Sequence, residues 1–154
     1  DEFQRTFDLA LTPTFILCRT LAERMKARRS GSIILFSSMY GMVAPDKGIY
    51  HAPMAANPID YGASKAATLQ LSRYFAMHYG SAGVRFNCIT PGPFPNSAVQ
   101  RDHPSFVADL SKKTVLNRVG QNNEIVGPTL FLLTDSASFV TGHSLVVDGG
   151  WTIW

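Results

Sequence analysis

The chain has 154 residues, 45% of them apolar and 16% charged, with 14 Lys+Arg against 11 Asp+Glu for a net charge of +3. A chain of this length and composition buries a real core and is not disordered. Its charge is too weakly basic to imply a nucleic-acid or anionic-membrane partner.

Residues 3–29 carry Phe3, Phe7, Leu11, Phe15, Cys18, Leu21 and Met25 at the three- and four-residue spacing of a helix with one buried face. Pro13 cannot donate to the carbonyl of Leu9, which predicts a kink there. Arg24, Lys26, Arg28 and Arg29 complement the negative end of the helix dipole, and Ser30-Gly31 stops the helix. Ser32–Phe36 is a short apolar run of the kind buried on both faces in a parallel sheet. It ends in Ser37-Ser38. Residues 39–57 contain Gly41, Pro45, Gly48 and Pro53 and read as an irregular loop. Asn57 is expected to cap the next helix, with Pro58 in its first position, Asp60 completing a capping-box-like start and Gly80 just past its end.

Val84–Ile89 reads as a second strand, halted by Thr90-Pro91-Gly92-Pro93. A loop over 93–104 follows, then a short helix over 106–116. Asn122 or Asn123 is expected to cap a further helix through Leu133, weakened by Gly127-Pro128. Ser144–Val147 is the third strand, ended by Asp148-Gly149-Gly150. The order α-β-α-β-α-α-β predicts an α/β fold with three parallel strands joined by right-handed crossovers.

Cys18 and Cys88 belong to no CxxC or Cys/His cluster, so neither a disulfide framework nor a metal site is expected. A reducing, cytoplasmic setting is the default expectation. No apolar run reaches the roughly 18 residues of a membrane span. The chain opens on Asp1-Glu2 without the basic start of a signal peptide, and its helical pattern begins at once. That start is expected of a chain beginning inside a larger structure.

Parallel sheets bind ligands beyond the carboxyl ends of their strands. Ser37-Ser38 and Pro91-Gly92-Pro93 fall at two such ends. Tyr61 and Lys65 stand four apart, on one face of a helix. A phenol ionises near pH 10, and a neighbouring ammonium favours the phenolate. Such a pair can pass a proton to or from a substrate oxygen. Ser38 can hydrogen-bond the same oxygen as charge develops on it. The layout suits carbonyl/alcohol redox with a nicotinamide carrying the hydride. Tyr and Lys also recur at this spacing by chance on solvated helix faces, so the pair alone decides nothing.

Four stretches, in this order, carry a resemblance: Ser32–Gly41 (SIILFSSMYG), Tyr61–Ala67 (YGASKAA), Val84–Pro93 (VRFNCITPGP) and Ser138–Trp151 (SFVTGHSLVVDGGW). Together they resemble the C-terminal part of the short-chain dehydrogenase/reductase family, over essentially the whole chain. The resemblance implies a doubly wound Rossmann-type fold and an NAD- or NADP-dependent oxidoreductase that interconverts a secondary alcohol and a carbonyl. By resemblance Tyr61 is the catalytic acid/base, Lys65 supports it and holds the nicotinamide ribose, and Ser38 orients the substrate oxygen. Pro91 and Gly92 would shape the shelf under the nicotinamide, and Phe94 and Asn96 would meet its carboxamide or the substrate. The resemblance also implies a homo-oligomer, a dimer or tetramer, acting on a small alcohol or carbonyl compound.

Three departures stand out. Ala10, in Asp8–Pro13, occupies the position of the family's catalytic Asn, whose backbone carbonyl holds a relay water. The interval from Ser38 to Tyr61 is longer than the family's usual one. Its extra residues, with Tyr40, Tyr50 and His51, are expected to form a wall over the substrate, and similar relatives hint at a polyhydroxylated, sugar-like one. The family's TGxxxGxG phosphate loop has no match in these 154 residues. Residues 1–154 are therefore expected to be part of a larger catalytic domain, to bind nicotinamide weakly by themselves, and to leave the first strand with an exposed apolar edge. The competing reading is a catalytically inactive fragment or oligomerisation module.

Overall fold

The computed structural model describes all 154 residues. Three strands, β1 (Gly31–Phe36), β2 (Val84–Pro91) and β3 (Ser144–Val147), form one parallel sheet in the order β1-β2-β3. β1 lies beside β2 from Gly31↔Val84 to Phe36↔Ile89, and β2 beside β3 from Cys88↔Ser144 to Pro91↔Val147. The second strand thus runs two residues past its expected end, because Thr90 and Pro91 still pair with β3.

Helices cover both faces. α1 (Glu2–Ala27) and α2 (Ile59–Tyr79) pack on one side around Cys18, Ala22, Leu69, Phe75 and Phe86. The rings of Phe75 and Phe86 stack with centroids 4.9 Å apart. α5 (Val126–Leu133) closes the other face, with Leu132 against Ile89. The third core group, Met39, Tyr40, Ile49, Leu110 and Trp151, lies under the residues that come after β1 and β2.

Several boundaries differ from the sequence expectation. α1 continues through Pro13 and starts on Asp1, whose side chain accepts the Gln4 N–H at 2.8 Å. The loop over 39–57 contains two single-turn 3-10 segments, Met39–Gly41 and Lys47–Ile49. Pro58, not Asn57, is the cap of α2 and makes no side-chain bond. Asp60 turns instead to α1, where it accepts the Thr6 hydroxyl. Gly80 stays right-handed (φ −60°), and Gly83 makes the left-handed turn (φ 79°) into β2.

The expected loop over 93–104 holds a short helix, α3 (Ser97–Asp102), and Pro104 opens α4 (Pro104–Lys112). The order is therefore α-β-α-β-α-α-α-β. α4 stops short of residue 116 because the Thr114 hydroxyl donates to the Arg118 carbonyl at 2.9 Å and turns the chain. The segment after Gln121 begins as a 3-10 turn, Asn122–Ile125, held by Glu124 accepting the Gln121 N–H at 2.8 Å. β1 pairs on one side only, as expected. Its open edge leaves Phe36 45% exposed, beside a groove of about 370 Å³ lined by Leu17, Leu21, Ile33 and Leu35. No helix is long and apolar enough to cross a membrane.

Candidate active site

Two strand ends and one helix start build the site. β1 ends at Phe36, and Ser37 anchors the turn beyond it. Its N–H donates to the Ile89 carbonyl at 2.9 Å, and its hydroxyl donates to the Lys65 carbonyl at 2.7 Å. Ser38 then caps the Met39–Gly41 turn, its Oγ accepting the Tyr40 N–H at 3.2 Å. A short hydroxyl side chain in extended backbone is suited to such a cap.

Tyr61 sits in the first turn of α2, and Lys65 one turn later. The Lys65 Nζ lies 5.7 Å from the centre of the Tyr61 ring and donates to the Phe36 carbonyl at 3.2 Å. The ammonium is thus held at the end of β1, beside the phenol that the i,i+4 spacing stacks with it.

The floor comes from the end of β2. Gly92 donates its N–H to the Val147 carbonyl at 2.9 Å. A Cβ on Gly92 would lie 2.5 Å from the Cα of Asp148, so only glycine lets the two strand ends approach this closely. Pro93 accepts the Gly120 N–H at 3.0 Å, and the Phe94 ring lies against Gly120. Asn96 caps α3, its Oδ1 accepting the Val99 N–H at 2.9 Å, which leaves its amide N–H groups free.

These elements enclose a cleft of about 290 Å³ lined by Ser38, Tyr61, Tyr40, Tyr50, Phe94 and Asn96, with Gly92 and Pro93 in its floor. The structure therefore gathers seven of the predicted residues: Ser38, Tyr40, Tyr50, Tyr61, Gly92, Phe94 and Asn96. Three stand apart. Lys65 opens on the neighbouring groove beside β1, together with Ala10. Pro91 is held inside β2, opposite Val147. His51 is exposed and outside the cleft lining, which corrects its expected place in the substrate wall.

Tyr40 and Tyr50 line the cleft together. Their hydroxyls are hydrogen-bonded at 2.5 Å. Burial pushes the Tyr40 phenol well above its ordinary range, and the paired Tyr50 hydroxyl adds to the shift. Burial raises Tyr50 as well. Both phenols are neutral at working pH. The loop bearing them is fastened by Asp46, which meets Lys113 at the end of α4 at 2.6 Å.

Sequence reasoning missed Val99 of α3 and Phe106 and Leu110 of α4, which also line the cleft, Phe106 packed against Tyr50. The i,i+4 pair Phe106/Leu110 was the available signal. Burial pushes the thiols of Cys18 and Cys88 up to about 11, so neither is a poised nucleophile.

A family model described as enoyl-(acyl carrier protein) reductase matches residues 1–152. Cyclopentanol dehydrogenase from Comamonas testosteroni is 34% identical over 154 residues, 99% of this chain and 58% of that protein. The chain belongs to the short-chain dehydrogenase/reductase family. Galactitol 2-dehydrogenase (L-tagatose-forming) from Cereibacter sphaeroides, another such relative, is 34% identical over 142 residues, 91% of this chain and 53% of that protein. A short-chain dehydrogenase from Leptospira borgpetersenii, solved with bound NAD+, superposes with a TM-score of 0.86 at 32% identity, covering 98% of this chain and 56% of that one. The chain thus spans little more than half the length of the family members it matches.

Proposed function

We propose that residues 1–154 are one part of the catalytic domain of an NAD- or NADP-dependent oxidoreductase that interconverts a secondary alcohol and a ketone. The observation that carries this reading is the convergence of Ser38 and Tyr61 on one cleft, with the Lys65 ammonium 5.7 Å from the Tyr61 ring. In the oxidative direction Tyr61 takes the hydroxyl proton of the alcohol. Lys65 stabilises the negative charge that develops on the phenol oxygen. Ser38 donates a hydrogen bond to the substrate oxygen and fixes its position. In the reductive direction Tyr61 returns the proton to the same oxygen.

The residues present fit the nicotinamide end of a dinucleotide. Gly92, Pro93 and Phe94 offer a flat floor at the end of β2, and the free Asn96 amide offers donors for a carboxamide. Lys65 would hold the ribose. When bound, the nicotinamide accepts or supplies the hydride at the carbinol carbon. No glycine-rich phosphate loop occurs in these residues, so the chain by itself binds nicotinamide weakly. Nicotinamide-linked turnover of the complete catalytic domain carrying Tyr61→Phe tests the reading. Activity should fall by about a thousandfold with the circular dichroism spectrum unchanged. Retained activity refutes the role of Tyr61.

A second reading rests on α1 and α2. Leu9, Leu17, Ile59 and Met77 are each more than half exposed on these helices. Unpartnered apolar side chains in that number support a homo-oligomer, dimer or tetramer. Light scattering that returns a monomer at micromolar concentration removes it.

A further inference from the structure

The lining of the cleft beside Ser38 and Tyr61 contains no charged side chain. Apart from those two hydroxyls its walls are mostly carbon, with Met39, Met54, Val99, Phe106 and Leu110 around it. Of its other polar groups, the Asn57 amide makes no hydrogen bond within the chain, and three are partly committed. The Tyr40 and Tyr50 hydroxyls bond each other at 2.5 Å, and the Asn96 Oδ1 holds the Val99 N–H. Two paired hydroxyls still leave one O–H for a ligand, and Asn96 keeps its amide N–H groups.

That inventory can be compared with what a ligand would need. A polyol brings a hydroxyl on nearly every carbon, and each loses its hydration unless it finds a partner. A carboxylate needs a cation or several N–H donors. Lys113 is the cation fastened behind the tyrosine wall, and it is already bound by Asp46 at 2.6 Å. The Asp46 charge acts on both phenols in the sense that disfavours a further anion. The cleft is open to solvent, so its lining bears on the choice of ligand and its volume does not.

We propose that this cleft selects a neutral, carbon-rich ketone or secondary alcohol, and that Tyr50 is the residue that sets the choice. The proposal rests on reading the cleft as the substrate site of an oxidoreductase. Tyr50 stands on the long loop between Ser38 and Tyr61. Its ring tilts against Phe106 of α4 at 5.2 Å, and its tip is held by Tyr40. It is therefore a largely apolar surface held in place at both ring and tip. The loop that hinted at a polyhydroxylated substrate builds a wall unsuited to one.

Ligand-detected NMR on the 154-residue chain, with cyclohexanol, galactitol and gluconate as probes, tests the proposal. Cyclohexanol should bind at least tenfold more tightly than either of the others. An apolar pocket discriminates against an added hydroxyl by about a hundredfold at most. Tyr50→Ala should weaken cyclohexanol at least fivefold with the fold retained. Equal or tighter binding of galactitol or gluconate overturns the proposal. So does the absence of cyclohexanol binding, or an unchanged affinity in Tyr50→Ala. Should Tyr50→Ala fail to fold, Val99→Ala of α3, which lines the same cleft, is held to the same fivefold criterion. The underlying reading fails differently. Selective cyclohexanol binding by these residues, with no nicotinamide-linked turnover of any alcohol by the complete catalytic domain, sinks the oxidoreductase and leaves the cleft chemistry standing. Turnover that favours a polyol or a carboxylate sinks the selectivity alone.

Discussion

The hydroxyl of Ser37 donates to the backbone carbonyl of Lys65 at 2.7 Å, tying the turn that carries Ser38 to the helix that carries Tyr61. Ser37 is only 5% exposed, so water does not readily replace that bond. Its backbone N–H holds β2 at the same time, so one residue sets β1, β2 and α2 relative to each other. Ser37→Ala removes a single oxygen. It should cost about 1–2 kcal/mol in denaturant unfolding. In active protein it should lower kcat about tenfold with KM nearly unchanged, because it disturbs the placement of Ser38 against Tyr61 rather than the cleft walls. Equal kcat in the two proteins would show that Ser38 needs no such tie.

Gly41 marks the closest approach of the same turn to α2. A Cβ there would lie 2.8 Å from the carbonyl carbon of Lys65 and 2.9 Å from the nitrogen of Ala66. Both are helix backbone atoms, which do not step aside as a flexible side chain does. Gly41→Ala should therefore lose about 1–3 kcal/mol. Gly62 is a useful contrast. Its Cβ would lie 3.0 Å from the Tyr40 carbonyl, and an alanine there gains helix propensity worth about 1 kcal/mol. Urea midpoints should rank Gly41→Ala well below Gly62→Ala. The reverse order would mean that the turn is loosely seated.

The strands were legible because each is a short apolar run with no competing local signal, and Ser144–Val147 fell where expected. The start of α2 was not. Asn57 has capping chemistry, but the interaction that places this helix end is Thr6 with Asp60, a contact with the far end of the chain that no local pattern contains. α3 was hidden by its length, six residues between Pro95 and Pro104. It is held by the Asn96 cap and by the Gln100 side chain donating to the Pro95 carbonyl at 2.7 Å. In the site, Ser38 and Tyr61 stood out because their immediate neighbours repeat a known pattern, although the interval between them does not. Phe106 and Leu110 carry no such pattern, and only the packing of α4 over the cleft brings them in.

The resemblance puts Ala10 at the family's asparagine position, and the structure puts it in the groove that Lys65 shares. Its carbonyl is engaged, accepting the Thr14 hydroxyl at 2.7 Å. Pro13 has no N–H to donate to the carbonyl of Leu9, so that oxygen lacks its helical partner. We propose that the backbone of this turn, rather than an amide side chain, holds the relay water. On that account Ala10→Asn changes turnover of the active protein by less than about tenfold. A gain of a hundredfold or more would show instead that the alanine leaves the relay broken.

Arg118 grips Glu124 with two nitrogens at 2.7 and 2.6 Å, while the Gln121 N–H donates to the same carboxylate at 2.8 Å. The guanidinium, and after it the backbone N–H, hold the Glu124 carboxyl at about 2, against an ordinary 4.5. The folded value lies below the unfolded one, so the ionised form stabilises the fold. That contribution is complete above pH 4.5 and is lost as the pH falls toward 2. The pair is solvent-exposed, so its effect is small and salt-screened. Glu124→Gln keeps an acceptor for Gln121 and removes the charge. At low salt the parent should melt above Glu124→Gln at pH 6, with the gap narrowing between pH 4.5 and pH 2. A gap that holds constant or widens over that acid range would mean that the charge on Glu124 contributes nothing to the fold.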